Sequence, residues 1–391
     1  MPKHLKIPIL ISVLSLIAVN FLLAQEKKQK NWTLDGYVSN MQSSIFTDIE
    51  EDWISNNLIH NRLNFNYYLS NTITINIEGR NRFMYGELIK NNPEYASFYE
   101  NDPGFIDLTT NILEETSFIL NSTIDRAKVD ITINKLNIIV GRQRINWAHT
   151  FVWNPNDIFN SYSFFDFDYV EKSGSDALRL QYYTNLSSSA ELSAKIDKDN
   201  RKTIAGLFRF NKWKYDIQIL GGLLNDEDYV IGAGWSGNIV DAGFSGEFSY
   251  FSAKDKNSDP KNIFLSSISI NYIFKNSLFL QFEVLYIDMQ QKVNITSFTE
   301  LFNSELTVKN LSFTKLSLFG QVSFPITPIL NSTFSAMYYP EIDGYFIGPS
   351  LSYSFNDNTD FSIFFQSFSG ELTTGTKEKF NMGFLRLKYC F

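Results

Sequence analysis

The 391-residue chain has little of what builds metal sites, disulfide frameworks or helical membrane spans. Its one cysteine, Cys390, excludes an intrachain disulfide. With only three histidines, His4, His60 and His149, it cannot supply a Cys/His zinc scaffold. Charged residues make up 19%, and the 42 acids outnumber the 34 bases, which argues against a duplex-DNA binder. After residue 24 no run approaches the roughly 18 apolar residues of a spanning helix. Helix-period stretches are scarce and no internal repeat stands out. Gly232-x-Gly234 lacks the further glycine and the following helix of a dinucleotide site. Asn225-Asp226-Glu227-Asp228 reads as a solvated acidic turn.

Aromatic residues are abundant: 36 Phe, 20 Tyr and 6 Trp, or 16% of the chain. The N-terminus opens with Lys3 and Lys6, runs apolar from Ile7 to Leu23, and reaches the small residue Ala24 before a polar tail. This is the pattern of a cleavable signal peptide over residues 1–24. It implies export, with a short periplasmic tail at 25–31 and one β-barrel over 32–391.

Almost every later segment alternates apolar and polar residues with period two. Ala242, Phe244, Gly246, Phe248 and Tyr250 share a face, against Ser245, Glu247 and Ser249. Leu280, Phe282, Val284 and Tyr286 oppose Gln281 and Glu283, and Tyr345, Ile347, Leu351, Tyr353 and Phe355 repeat the pattern. Such runs exceed the usual soluble strand of about 5 to 6 residues and suit a tilted strand crossing a bilayer. The chain offers about 18 of them, between 32–44 and 378–391, with 16 as the alternative count. Short connections, such as Asn134-Lys135 and Lys275–Ser277, alternate with long ones at 86–114, 147–174 and 292–309. Short turns on the periplasmic rim and long loops outside are the pattern of an outer-membrane barrel. The fold class expected is therefore an all-β transmembrane antiparallel barrel with a long inward-folded loop. The aromatic excess then has a cause, since lipid-facing bands are apolar and their rims favour Tyr and Trp. Tyr37, Tyr67, Tyr215, Tyr272, Tyr353, Tyr389, Trp213 and Trp235 are girdle candidates. The last strand ends in Leu385, Leu387, Tyr389 and Phe391. A terminal Phe with alternating apolar residues resembles the recognition signal read by the barrel-assembly machinery.

The most distinctive segment spans 140–185. Gly141-Arg142-Gln143-Arg144 precedes Trp147. Asn154-Pro155-Asn156-Asp157 and Phe164-Phe165-Asp166-Phe167-Asp168-Tyr169 follow. Over these residues the chain resembles a family of Gram-negative outer-membrane porin-like proteins. Phosphate-selective and polysaccharide-exporting 18-stranded porins look like more distant relatives. Ala148-His149 stands where the family pattern has Gly after the Trp. The resemblance implies a passive channel for small polar, including anionic, solutes, set in outer-membrane lipid and lipopolysaccharide. It implies no cofactor and no metal, and leaves oligomeric state open. A plugged, non-conducting barrel serving envelope assembly or export is the alternative. A lipid hydrolase is the weakest reading, because His60 and His149 have no nucleophile motif beside them.

The polar faces of neighbouring strands carry a basic cluster: Arg62, Arg80, Arg82, Arg126, Arg142, Arg144 and Arg179. The long loop supplies Asp157, Asp166, Asp168 and Glu171. The arginines can pin the loop through two-bonded carboxylate pairs, or face the pore and favour anions. If Arg142 faces in, parity turns Gln143 out, unless a bulge at Gly141 intervenes. Asp216, Asp241, Glu247 and Glu283 should also face in, making the lumen electrically lopsided.

Overall fold

The computed structural model describes residues 30–391 except 51–52, 161–164, 166–167, 170, 256, 259, 289–306, 372–374 and 376. The signal-peptide segment, Asp166 and most of the 292–309 loop lie outside the described residues. The chain opens with β1 (Trp32–Phe46), β2 (Ile54–Ser70) and β3 (Ile73–Gly86), then two short helices, α1 (Glu87–Asn91) and α2 (Tyr95–Glu100). β4 (Thr109–Glu115), β5 (Phe118–Ile133), β6 (Leu136–Gln143), β7 (Ser175–Asn185), β8 (Ser188–Ile196) and β9 (Lys202–Lys212) follow. The remainder are β10 (Tyr215–Leu224), β11 (Asp228–Ile239), β12 (Ala242–Ala253), β13 (Asn262–Ile273) and β14 (Phe279–Ile287). Then come β15 (Leu316–Thr327), β16 (Leu330–Tyr339), β17 (Gly344–Asn356), β18 (Thr359–Glu371) and β19 (Lys377–Cys390).

All pairings are antiparallel, and each strand pairs with its chain neighbours except at β4. β1 closes the sheet on β19, from Tyr37↔Cys390 to Phe46↔Asn381. The Gly36 and Phe391 backbones extend that seam, with N–H···O distances of 3.0 and 2.9 Å. β3 pairs past β4 with β5, so 18 strands form a closed ring and β4 is an addition to it. Closure pairs every strand of the ring on both sides and, among the described residues, leaves an unpaired strand edge only at β4.

Alternation decides the two faces. Phe248, Tyr250, Phe282, Tyr286, Leu351, Tyr353, Leu385 and Leu387 are exposed on the outside, while Glu247, Ser249, Gln281 and Glu283 are buried inside. Tyr37 is a correction to the girdle reading: its strand parity matches inward Ser39 and Met41, it is buried, and its ring meets His60 edge-on at 5.5 Å. The two-residue turns Trp213-Lys214 and Val240-Asp241 join their strands tightly. Trp213, Lys214 and Val240 take φ of 55°, 66° and 57° as such turns demand.

The interior has two sectors. From β9 to β18, buried Leu207, Leu220, Val230, Phe251, Leu265, Leu285, Phe319, Met337, Phe346 and Phe368 form one apolar cluster. Ile145, Trp147, Val152, Trp153, Ile158 and Phe159, from the segment after β6, belong to the same cluster. Around β2, β3 and β5 the interior is charged instead, holding Arg62, Arg80, Asp125 and Arg126.

Candidate functional site

The site is built where β6 stops early. β6 is 8 residues long beside the 16 of β5, so its ladder covers only the Ala127–Ile133 half of β5. The chain leaves the wall after Gln143, and β4 takes the vacated edge, pairing Thr109–Glu115 with Thr123–Phe118. Gly141 makes the departure possible. Its φ is 112°, and a Cβ there would lie 2.1 Å from the Ala127 carbonyl oxygen. The ladder runs through Gly141 without a slip on either side, which corrects the expected bulge. Arg142 and Gln143 are both buried all the same. The bulge lies in β5, where Asp125 is the extra residue between Glu78↔Arg126 and Gly79↔Ile124. It buries Asp125 and Arg126 side by side.

In the charged sector Arg62 is fully buried and pairs with both Glu78 and Asp125, with Glu171 at 3.9 Å. Arg80 bonds Asp168 at 3.1 Å and lies 4.7 Å over the Tyr169 ring. Asp168 also has His60 at 3.5 Å and Arg386 of β19 at 3.6 Å. Arg126 donates to the Glu171 and Lys172 carbonyls at 2.7 and 2.9 Å. The structure therefore brings Asp168 and Glu171 to β2 and β3. The other arginines go elsewhere. Arg142 meets Asp102 and Asp176, Arg179 meets Glu191 at 2.7 Å, and Arg82 donates to Asn121 and Thr123. Arg144 and Asp157 form their own pair within the segment at 3.2 Å. Burial pushes the Asp157 carboxyl up to about 7 against the pull of Arg144. Burial, helped by Arg209, lowers His149 to about 4.

Two wall carboxylates hold the 149–156 stretch in a way that side-chain pairing rules do not reveal. Glu283 of β14 accepts the backbone N–H groups of Phe151, Val152 and Trp153 at 2.9, 3.1 and 2.7 Å. Glu247 of β12 accepts those of His149, Thr150 and Asn156 at 3.3, 3.1 and 3.1 Å, and the Thr150 hydroxyl as well. Trp147 Nε1 donates to Glu191 of β8 at 2.8 Å, and Gln218 of β10 donates to the Trp147 carbonyl at 2.6 Å. Further along, the Phe165 ring meets Phe346 and Phe368 at 5.1 and 5.0 Å. The signal for Glu247 and Glu283 was their inward parity; their partners are N–H groups that any residue carries.

No family model and no curated protein matches the chain. Solved structures do match. The outer membrane protein OprD from Pseudomonas aeruginosa aligns with a TM-score of 0.59 at 10% identity, covering 93% of this chain and 94% of that one. The wall has the OprD fold. Acinetobacter baumannii OccAB4 aligns at 0.57 and 11% identity, over 94% of this chain and 100% of its own. Pseudomonas aeruginosa OccK11 (OpdR) gives 0.55 and 8%, over 94% and 99%. At these identities the likeness extends to the barrel, while the charged network and the Glu247–Glu283 anchors are described from this chain alone.

Proposed function

We propose that this protein is a passive channel for small polar solutes in the outer membrane, and that the segment 144–174 folds into the barrel and narrows it. The observation that carries the reading is the closed ring of 18 antiparallel strands with an apolar outside and a partly charged inside. Rings of 16–18 strands are wide enough for an aqueous path. The resemblance around Gly141–Tyr169 to porin-like proteins supports the same reading. So does the fold shared with outer membrane protein OprD. In this reading Arg80 and Arg82 border the path, and Arg62 and Arg126 hold the segment together with Asp157, Asp168 and Glu171. The Glu247–Glu283 grip on 149–156 favours a second reading, a barrel plugged until the segment moves. Liposome swelling separates them: swelling in pentoses and amino acids supports the open channel, and rigid liposomes with fully inserted protein support the plug.

The reading includes insertion by the barrel-assembly machinery through Leu387, Tyr389 and Phe391, exposed on the outer face beside the closing seam. Deleting Phe391 should strongly lower the heat-modifiable protein in outer-membrane fractions. Unchanged levels would remove that role.

A further inference from the structure

Where β6 and β7 end, the wall is completed by something other than a strand. On the far side of β4 no strand of the described residues pairs with it; the segment 101–106 fills the space instead. It is tied to the β8–β9 connection by a single bridge, Gly104↔Asp197, and by Lys198 N–H to the Pro103 carbonyl at 3.2 Å. Lys198 Nζ donates to Asn101 Oδ1 at 2.7 Å, and Asp102 accepts the Leu108 N–H at 2.8 Å and the Thr109 hydroxyl at 3.1 Å; the densest set of bonds runs through one guanidinium. Arg142 bonds Asp102 at 2.7 Å, Asp176 at 2.8 and 2.9 Å, and the Ile106 carbonyl, while Asp176 accepts the Ile106 N–H at 2.8 Å. The fit is close: a Cβ on Gly104 would lie 1.9 Å from Arg142 Nη2. Phe105 and Ile106 are 54% and 56% exposed, so the strap carries an uncovered apolar surface, as Leu113 of β4 and Leu178 of β7 do.

Pro103 separates two cavities. One, of about 140 Å³, lies against Phe159, Asn160 and Lys195. The other, of about 510 Å³, is lined by Arg80, Arg82, Tyr99, Asp125, Arg142 and Tyr169 among others. Arg80 and Arg142 have carboxylate partners, whereas Arg82 makes no ion pair among the described residues. Its Nη2 donates to Asn121 and Thr123 at 2.9 Å, its buried Nε has no partner, and its guanidinium lies 4.9 Å over the Tyr99 ring. The carboxylates of the same lining, Asp102 and Asp125, are paired with Arg142 and Arg62, and a largely buried cation with no ion-pair partner of its own favours an anionic guest.

We propose that 101–106 is a side gate in the wall, latched by Arg142, through which an amphiphile with an anionic headgroup passes between the membrane and the Arg82 cavity. The inference rests on the membrane-spanning reading above. A strand ladder opens only by breaking a long row of backbone hydrogen bonds, but this strap opens on release of the Arg142 cluster, the Gly104 bridge and a few bonds from Lys198, Leu108 and Thr109. Its apolar outer surface gives an alkyl tail a path in lipid, while Arg82 receives the headgroup.

The test uses the full-length protein in phosphatidylcholine vesicles, with Cys390→Ser and Ser173→Cys, since Ser173 lines both cavities. Hexadecyl maleimide, confined to the bilayer, should label Cys at 173. Labelling should quicken several-fold with Arg142→Gln and with Gly104→Ala, which displaces the latch without removing charge. Dodecyl phosphate should slow labelling, and should lose that effect in Arg82→Gln. Equal labelling rates in all variants, or labelling only by a water-soluble maleimide, would overturn the gate while leaving the channel standing. Protein that is extracted by carbonate and shows no heat-modifiable band would instead overturn the membrane-spanning reading, and the gate with it. If Arg142→Gln fails to fold, Gly104→Ala decides alone.

Discussion

The charged sector around β2, β3 and β5 and the apolar sector from β9 to β18 face the same interior but hold the segment after β6 by different physics. In the charged sector the contacts are arginine–carboxylate pairs, each of which needs its partner in place. In the apolar sector aromatic rings and aliphatic side chains fill the space, and two buried glutamates accept backbone N–H groups. The first arrangement is sensitive to single charges. The second is sensitive to loop backbone geometry and tolerant of loop side-chain identity.

The largest effect should come from breaking the charged sector at its centre. Arg62→Ala leaves Asp125 and Glu78 without their shared partner, and stranding a buried charge costs roughly 3–5 kcal/mol. The urea midpoint of the heat-modifiable barrel should fall accordingly; an unchanged midpoint would mean the network carries no stability. A smaller effect should follow pH. The folded Asp157 carboxyl, at about 7, sits above its ordinary value near 3.8, so the folded state holds the proton more tightly. Stability from this group is complete below the ordinary value and is lost as pH rises through about 7. Protease cleavage within 148–158 should therefore increase from pH 5 to pH 8, and Asp157→Asn should flatten that rise. The smallest effect lies outside both sectors. Val240 is a β-branched residue at φ 57°. Val240→Asn should stabilise the barrel by about 1 kcal/mol, since Asn tolerates the left-handed region. A lower urea midpoint in that variant would refute it.

The through-strands were legible because a period-two pattern over long runs has few other interpretations; the first and last expected runs, 32–44 and 378–391, stand against Trp32–Phe46 and Lys377–Cys390. β4 was not legible. Its sequence, TTNILEE, is short and polar, and it is a strand because β6 vacates the edge of β5. α1 and α2 escaped for a related reason, at 5 and 6 residues too short to show a period. In the site, the residue types were readable and the partners were not. Asp125 reaches Arg62 only through a bulge that no composition signal marks. Arg142 spends its guanidinium on Asp102 and Asp176, which lie far from it in sequence. Asp166 lies outside the described residues.

A conducting barrel narrowed by a segment held on Glu247 and Glu283 is the reading proposed above. Single-channel recording in planar bilayers tests it most directly, comparing the natural chain with Glu247→Gln plus Glu283→Gln. Each replacement weakens several charge-assisted bonds worth roughly 1.5–3 kcal/mol apiece, while the wall strands keep their ladders. The natural chain should give small, steady conductance, and the double variant a clear step upward. Identical conductance in the two, with both barrels folded and inserted, would contradict it.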